Sequence, residues 1–291
     1  MRLFGVQQSA RVKEKIMHMV VFKSLIALKY TEKFRREQQI ASLYWMGFFW
    51  SASTIILVST LPLFLTNVLK LRHMHIGAIE GFVVFLSFVT KVFVGFASDL
   101  AQDRRPFILL GSFLGLITRP IIPLSASAMG VFFGRSLDRV SKGMRASPVD
   151  AFLADLSSRD DYGQAYGLKY AFSQAGAVTG ALFAMFLIKI YADNLQLIFW
   201  VSCLPSLIAF VIGLITFGFV VPRFKEKDKS FKSIKVFSVN QIKKLSFNFW
   251  AISIIATFLM MSRFSEVFLA FRARDLGFKD FNLPIIFIII D

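Results

Sequence analysis

Along the chain, continuous apolar blocks about 20 residues long alternate with short polar stretches rich in Lys and Arg. Blocks of that length match a hydrocarbon core roughly 30 Å thick. Eight can be read: 42–68, 76–98, 107–125, 128–146, 165–188, 195–221, 249–271, and one that begins at Leu283 and meets Asp291. A membrane β-barrel would instead alternate apolar and polar residues in segments of about ten, so these blocks predict helices. The chain reads as an all-α integral membrane protein. A six-helix bundle over 42–221 comes first. A basic linker follows at 222–248. A second set opens at 249–291 with a seventh helix and an eighth that is expected to be truncated.

The fourth block is the least apolar, because it carries Arg135, Asp138, Arg139, Lys142 and Arg145. Their spacings of three, four, seven and ten place them on one face of a helix. A surface amphipathic helix would show the same pattern, and loop charge decides between the two. If 128–146 spans the bilayer, 1–41 with nine Lys/Arg shares a side with the linker, which carries Arg223, Lys225, Lys227, Lys229, Lys232, Lys235, Lys243 and Lys244. The opposite loops hold only Lys70, Arg72, Lys189, Arg272, Arg274 and Lys279. By the positive-inside rule the N-terminus is then cytoplasmic. Residues 1–41 read as a basic amphipathic segment on the inner membrane face.

Composition narrows this little. The net charge of +16 would suggest a nucleic-acid partner in a soluble chain. Here the basic residues lie between apolar blocks, where they set topology and meet anionic headgroups, and no nucleic-acid motif is present. The single cysteine, Cys203, excludes an intrachain disulfide and reads as a small core residue. His73 and His75 have no further ligand in view for a metal, and no catalytic constellation is present, so an enzyme is not expected.

The stretch after the second block, Gly95-Phe-Ala-Ser-Asp99-Leu-Ala-Gln-Asp103-Arg104-Arg105, resembles the loop 2–3 signature of the major facilitator superfamily. Leu100 replaces a basic residue of that signature, and Gln102 replaces its glycine. In the fourth block, Arg139-Val-Ser-Lys142-Gly143 is similar to the superfamily's second motif. The runs Leu137–Asp155, Gly163–Leu168, Gly77–Gly81 with Lys91, and Ser265–Gly277 resemble a largely uncharacterised prokaryotic subgroup. Similar proteins often carry acidic residues in the first helix, where this chain has Ser51 to Ile55, and Asp in the fifth, near Ser173. Gly176 to Ala181 lacks the proline of the antiporter motif, which speaks against drug–proton exchange.

The resemblance implies a facilitator-type bundle in a prokaryotic plasma or inner membrane, moving a small solute by alternating access. It implies that Asp99 holds an inner gate against a helix N-terminus late in the second half. With Gly95, Asp103, Arg104, Arg105, Arg139 and Gly143 it forms the gating set. A second polypeptide is then expected to supply the missing half. Ionisable residues inside spans are functional candidates by default. Glu80 and Lys91 are expected to line one polar pathway, Arg135 to contact substrate and Asp138 to offset one arginine. Arg263 and Glu266 can pair along the seventh helix. Gly176 and Gly180 have the spacing for close helix packing. The charged stripe points to an anionic substrate. No cofactor is called for, and Glu80, Asp138 and Glu266 are the candidates for proton or ion coupling. The alternative is a truncated, non-transporting remnant or a membrane scaffold.

Overall fold

The computed structural model describes residues 2–101, 103–125, 127–191, 194–218, 246–261 and 266–290, and every regular element among them is helical. Helix α1 (Arg2–Leu63) continues into a π-helical turn, Phe64–Val68. Then follow α2 (His73–Ala101), α3 (Arg105–Leu124), α4 (Ala128–Leu156), α5 (Tyr162–Ile190) and α6 (Leu195–Gly213), which ends in a second π turn, Leu214–Gly218. Each contains or overlaps one of the first six apolar blocks: α2 and α5 exceed theirs by a few residues, α4 runs past its block to Leu156, and α1 starts well before its own. The backbone of α1 runs unbroken from Arg2, so the N-terminal segment and the first span form one helix.

Helix α1 is the axis of the bundle. The part of α1 from residue 42 onward is apolar all round and must be surrounded, and Ile56, Leu57, Leu61 and the following Phe64 are at most 2% exposed. It packs against α5 and α6; α3 packs against α4 and α6; α2 lies along α4. The closest approaches occur at glycines. A Cβ on Gly176 would stand 2.1 Å from the Phe48 carbonyl oxygen, and one on Gly180 would stand 2.6 Å from that of Ala52. The Gly-xxx-Gly spacing therefore lets the backbones of α1 and α5 nearly touch. Gly143 serves α4 in the same way, with the Ser87 carbonyl oxygen 3.0 Å from its would-be Cβ. Ser147 Oγ presses on Gly95 across the α2–α4 seam.

Outward faces carry what lipid would cover. Phe82, Phe85, Phe88 and Phe93 on α2, Phe183 and Phe186 on α5, and Leu204 and Leu207 on α6 are exposed. A soluble monomer rarely shows apolar patches this continuous. Helices α1, α2, α3, α5 and α6 are long and apolar enough to cross a bilayer. The chain is a multi-pass membrane protein. Helix α4 falls short of that hydropathy because of its charges, yet its 29 residues reach about 43 Å and it lies between α2 and α3. Of its charged face, Arg135 and Asp138 are buried in the bundle, Arg139 and Arg145 are partly buried, and Lys142 is exposed.

Beyond the bundle, most of the stretch read as a linker lies outside the described residues. Helices α7 (Phe247–Met261) and α8 (Glu266–Asp275) cover the seventh block. Helix α8 closes at Gly277, whose φ of +88° favours glycine. Phe278 N–H reaches back to the Ala273 carbonyl at 3.0 Å, capping that end. A 3-10 turn, Asp280–Asn282, leads to α9 (Pro284–Ile290). Turn and α9 pack on α5, and α8 touches α1.

Candidate functional site

The apolar core is split along α1. One cluster gathers around Leu43 to Trp50 and the other around Ile55 to Leu65. Between them lies a layer of charge. Helix α2 contributes Glu80, α3 contributes Arg119, and α4 contributes Arg135, Asp138, Arg139 and Arg145. Arg119 and Arg135 are 0% exposed, Glu80 is 2% and Asp138 is 3% exposed.

Glu80 and Arg135 form the centre of this layer. The Arg135 guanidinium donates to Glu80 Oε1 at 2.8 Å through Nη2 and at 3.2 Å through Nε, and Nη2 also reaches Oε2 at 3.1 Å. The forked geometry of arginine suits such a clasp on one carboxylate. Arg139 approaches the same carboxylate at 3.7 Å. Asp138 lies between Arg119 at 3.5 Å and Arg135 at 3.7 Å. Arg119 also donates to Thr54 Oγ1 on α1 at 3.0 Å. Arg145 lies over the Trp50 ring, 3.5 Å from its centroid, and Arg119 flanks the same ring at 5.8 Å.

Arg135, expected to contact substrate, is enclosed in this structure and clasped by Glu80. Glu80 and Lys91, expected to line one polar pathway, are not brought together in this structure. Lys91 Nζ sits over the Phe88 ring at 5.3 Å. It borders a separate open groove of about 460 Å³ with Ala146, Ser147, Asp150 and Tyr166. On the far side of Asp150, Lys169 pairs with its carboxylate and Tyr166 Oη donates to its carbonyl at 2.8 Å.

The loop signature assembles a second, exposed cluster. Arg104 donates to Asp99 at 2.8 Å and to Asp155, at the end of α4, at 2.7 Å. Asp103 accepts from Arg105 N–H at 3.0 Å, and Arg105 lies 5.8 Å from the Phe152 ring centroid. Among the described residues Asp99 is therefore tied to the first bundle itself. Gly95 and Gly143 act as seams between α2 and α4. Arg263 lies outside the described residues, and for Glu266 only the helical backbone is described. Ser51 and Ser173, at positions where similar proteins often carry acids, hydrogen-bond to each other at 2.7 Å between α1 and α5.

Sequence reading missed the part played by Arg119 and Trp50. The signal was present: an arginine in the middle of an otherwise apolar helix costs about 2.5–3.5 kcal/mol on insertion scales and needs a partner. That its partners are Asp138 and Thr54 was visible only in the folded chain.

Comparison with known proteins agrees with this architecture. A sequence model of the Major Facilitator Superfamily matches residues 43–290. An uncharacterised MFS-type transporter of Methanocaldococcus jannaschii is 30% identical over 226 residues, covering 77% of this chain and 53% of that protein. This chain thus spans about half the length of that relative. Among solved structures, a D-xylose–proton symporter superposes with a TM-score of 0.56 at 15% identity, over 87% of this chain and 65% of that one. A POT family transporter in complex with 5-aminolevulinic acid gives 0.56 at 16% identity, over 84% and 48%. At these identities the two structures speak for the fold alone.

Proposed function

The chain belongs to the major facilitator superfamily, and from that premise we propose that it serves secondary active transport of a small solute by alternating access. It carries the first six-helix half and the opening helices of the second. The observation that supports this reading is the Glu80–Arg135–Asp138–Arg119 layer, buried between α2, α3 and α4. Packing alone would be cheaper with apolar residues, since removing a charge from hydrocarbon removes several kcal/mol of insertion cost. Charge kept there is suited to exchanging partners as two halves rock around a central site. Asp138, shared by two arginines at distances longer than hydrogen bonds, is the group best placed to change partner. It is also the candidate for coupling to a proton or ion gradient. Basic stretches at 1–41 and 222–248 favour a cytoplasmic N-terminus in a prokaryotic plasma membrane.

One reconstitution tests both parts. Protein carrying Lys33→Cys and Cys203→Ser is inserted into vesicles, and labelling by an impermeant thiol reagent reports the orientation. Currents on a solid-supported membrane are then recorded across a panel of anionic, neutral and cationic metabolites. Solute-evoked current that disappears in Asp138→Asn is expected. A silent panel from well-inserted protein would count against transport. In intact cells, labelling of the Lys33→Cys variant from outside would reverse the orientation.

A further inference from the structure

Trp50 and Arg119 carry buried donor atoms that the ion pairs around them do not satisfy. Arg119, Arg135 and Arg139 pair with the carboxylates Glu80 and Asp138, while Arg145 lies over the Trp50 ring and donates through Nε to the Ser141 carbonyl at 3.3 Å. Glu80 is engaged by Arg135 and approached by Arg139. Asp138 is divided between Arg119 and Arg135. Arg119 is left with one hydrogen bond, from Nη2 to Thr54. Its Nε and Nη1 make none among the described residues, although the side chain is 0% exposed.

Trp50, 7% exposed, repeats the pattern beside it: its indole Nε1 also makes no hydrogen bond among the described residues. Its ring is flanked by both Arg119 and Arg145. All three open atoms are donors, and an unmade hydrogen bond at a buried charged group is costly. Two guanidinium groups beside one indole, with open donors on Arg119 and Trp50, match an oxyanion in charge and in hydrogen-bond sense.

We infer that Trp50, Arg119 and Arg145 form a subsite for the carboxylate or phosphate group of the solute. The inference rests on the transport reading and deepens it: the transported class is anionic, and the anion is met by Arg119, not by the clasped Arg135. In this conformation the subsite is enclosed. Among the described residues the Arg119–Thr54 hydrogen bond ties α3 to α1 beside the subsite, and the anion's entry requires that bond to open. The arriving oxyanion takes up the Nε, Nη1 and indole N–H donors while Asp138 stays with Arg135.

The test needs no flux. Purified full chain in nanodiscs is titrated with inorganic phosphate and, separately, acetate at constant ionic strength, following the thermal midpoint and equilibrium binding of the radiolabelled anion. A saturable rise with either anion is expected, because a ligand that binds only the folded state stabilises it. Phosphate alone would define a tetrahedral oxyanion as the ligand, acetate alone a carboxylate, and both a general oxyanion site. Arg119→Gln should weaken binding by at least about tenfold, the worth of a hydrogen bond to a charged group. Trp50→Phe keeps the ring and loses the donor, and should weaken binding a few-fold even if Arg119→Gln fails to fold. No saturable response to either anion overturns the inference, as does unchanged affinity in a folded Arg119→Gln. Anion binding without any solute-evoked current would sink the transport reading and leave the subsite standing. Currents from neutral solutes without anion binding would do the reverse.

Discussion

The buried Glu80–Arg135 clasp and the exposed Asp99–Arg104–Asp155 cluster have similar donor–acceptor distances and very different energetic weights. In the first, both partners are out of water, and removing one leaves an uncompensated charge in a low-dielectric layer. Such a loss costs about 3–5 kcal/mol. In the second, both aspartates are largely solvated, and pairs of that kind contribute about 0–1 kcal/mol. Glu80→Ala and Arg135→Ala should therefore each lower the thermal midpoint sharply, with the double variant recovering part of the loss in a double-mutant cycle. Asp155→Asn should barely move it. Equal effects at the two places would mean that the Glu80–Arg135 layer is hydrated. The individual charges were legible in the sequence, because each interrupts an apolar block. Their pairing was not, since Glu80 and Arg135 lie 55 residues apart and meet only when α2 lies along α4.

At the scale of the element, helix contacts here depend on missing side chains. Gly176 and Gly180 were readable as a packing pair from spacing alone, and the fold shows why: their partners are backbone atoms of α1, which cannot rotate aside. Gly176→Ala should consequently abolish the monodisperse peak in detergent size-exclusion chromatography. Gly167→Ala, on the same helix with nothing within 4 Å of its would-be Cβ, should elute as the parent does. A normal profile for Gly176→Ala would mean that α1 and α5 stand further apart. Helix α4 teaches the complementary lesson. Its stripe spacing was plain in the sequence, but whether the stripe faced headgroups or helices depended on α2 and α3 closing over it.

At the scale of the molecule, the end of the first bundle that carries the π turn of α1 is fastened to the segments that follow it. Arg274 on α8 donates to Thr66 in the π turn of α1 at 3.0 Å and pairs with Asp280 at 3.3 Å. Phe268 fits over Gly77 of α2, with its ring 3.0 Å from a would-be Cβ. If the protein transports by alternating access, this contact must open in each cycle. Thr66→Cys and Arg274→Cys together, in a Cys203→Ser background and joined by a reducible bis-thiol reagent, should stop flux, and reduction should restore it. Undiminished flux from fully cross-linked protein would place the moving parts elsewhere.

What the sequence by itself determined is what depends on local composition: a helix at each of the first six apolar blocks, the membrane as solvent, and the family motifs. These follow because a backbone in hydrocarbon must satisfy its own hydrogen bonds, so each apolar block has one available form. What only the tertiary structure decided is where each charge finds its counter-charge: Glu80 against Arg135, Arg119 against Asp138, Arg104 between two aspartates, and Lys91 apart in its own groove. Helical periodicity assigns a residue to a face. The neighbour of that face is chosen by how helices distant in sequence pack, through glycine seams that bring particular backbones together and thereby select which buried charges can meet.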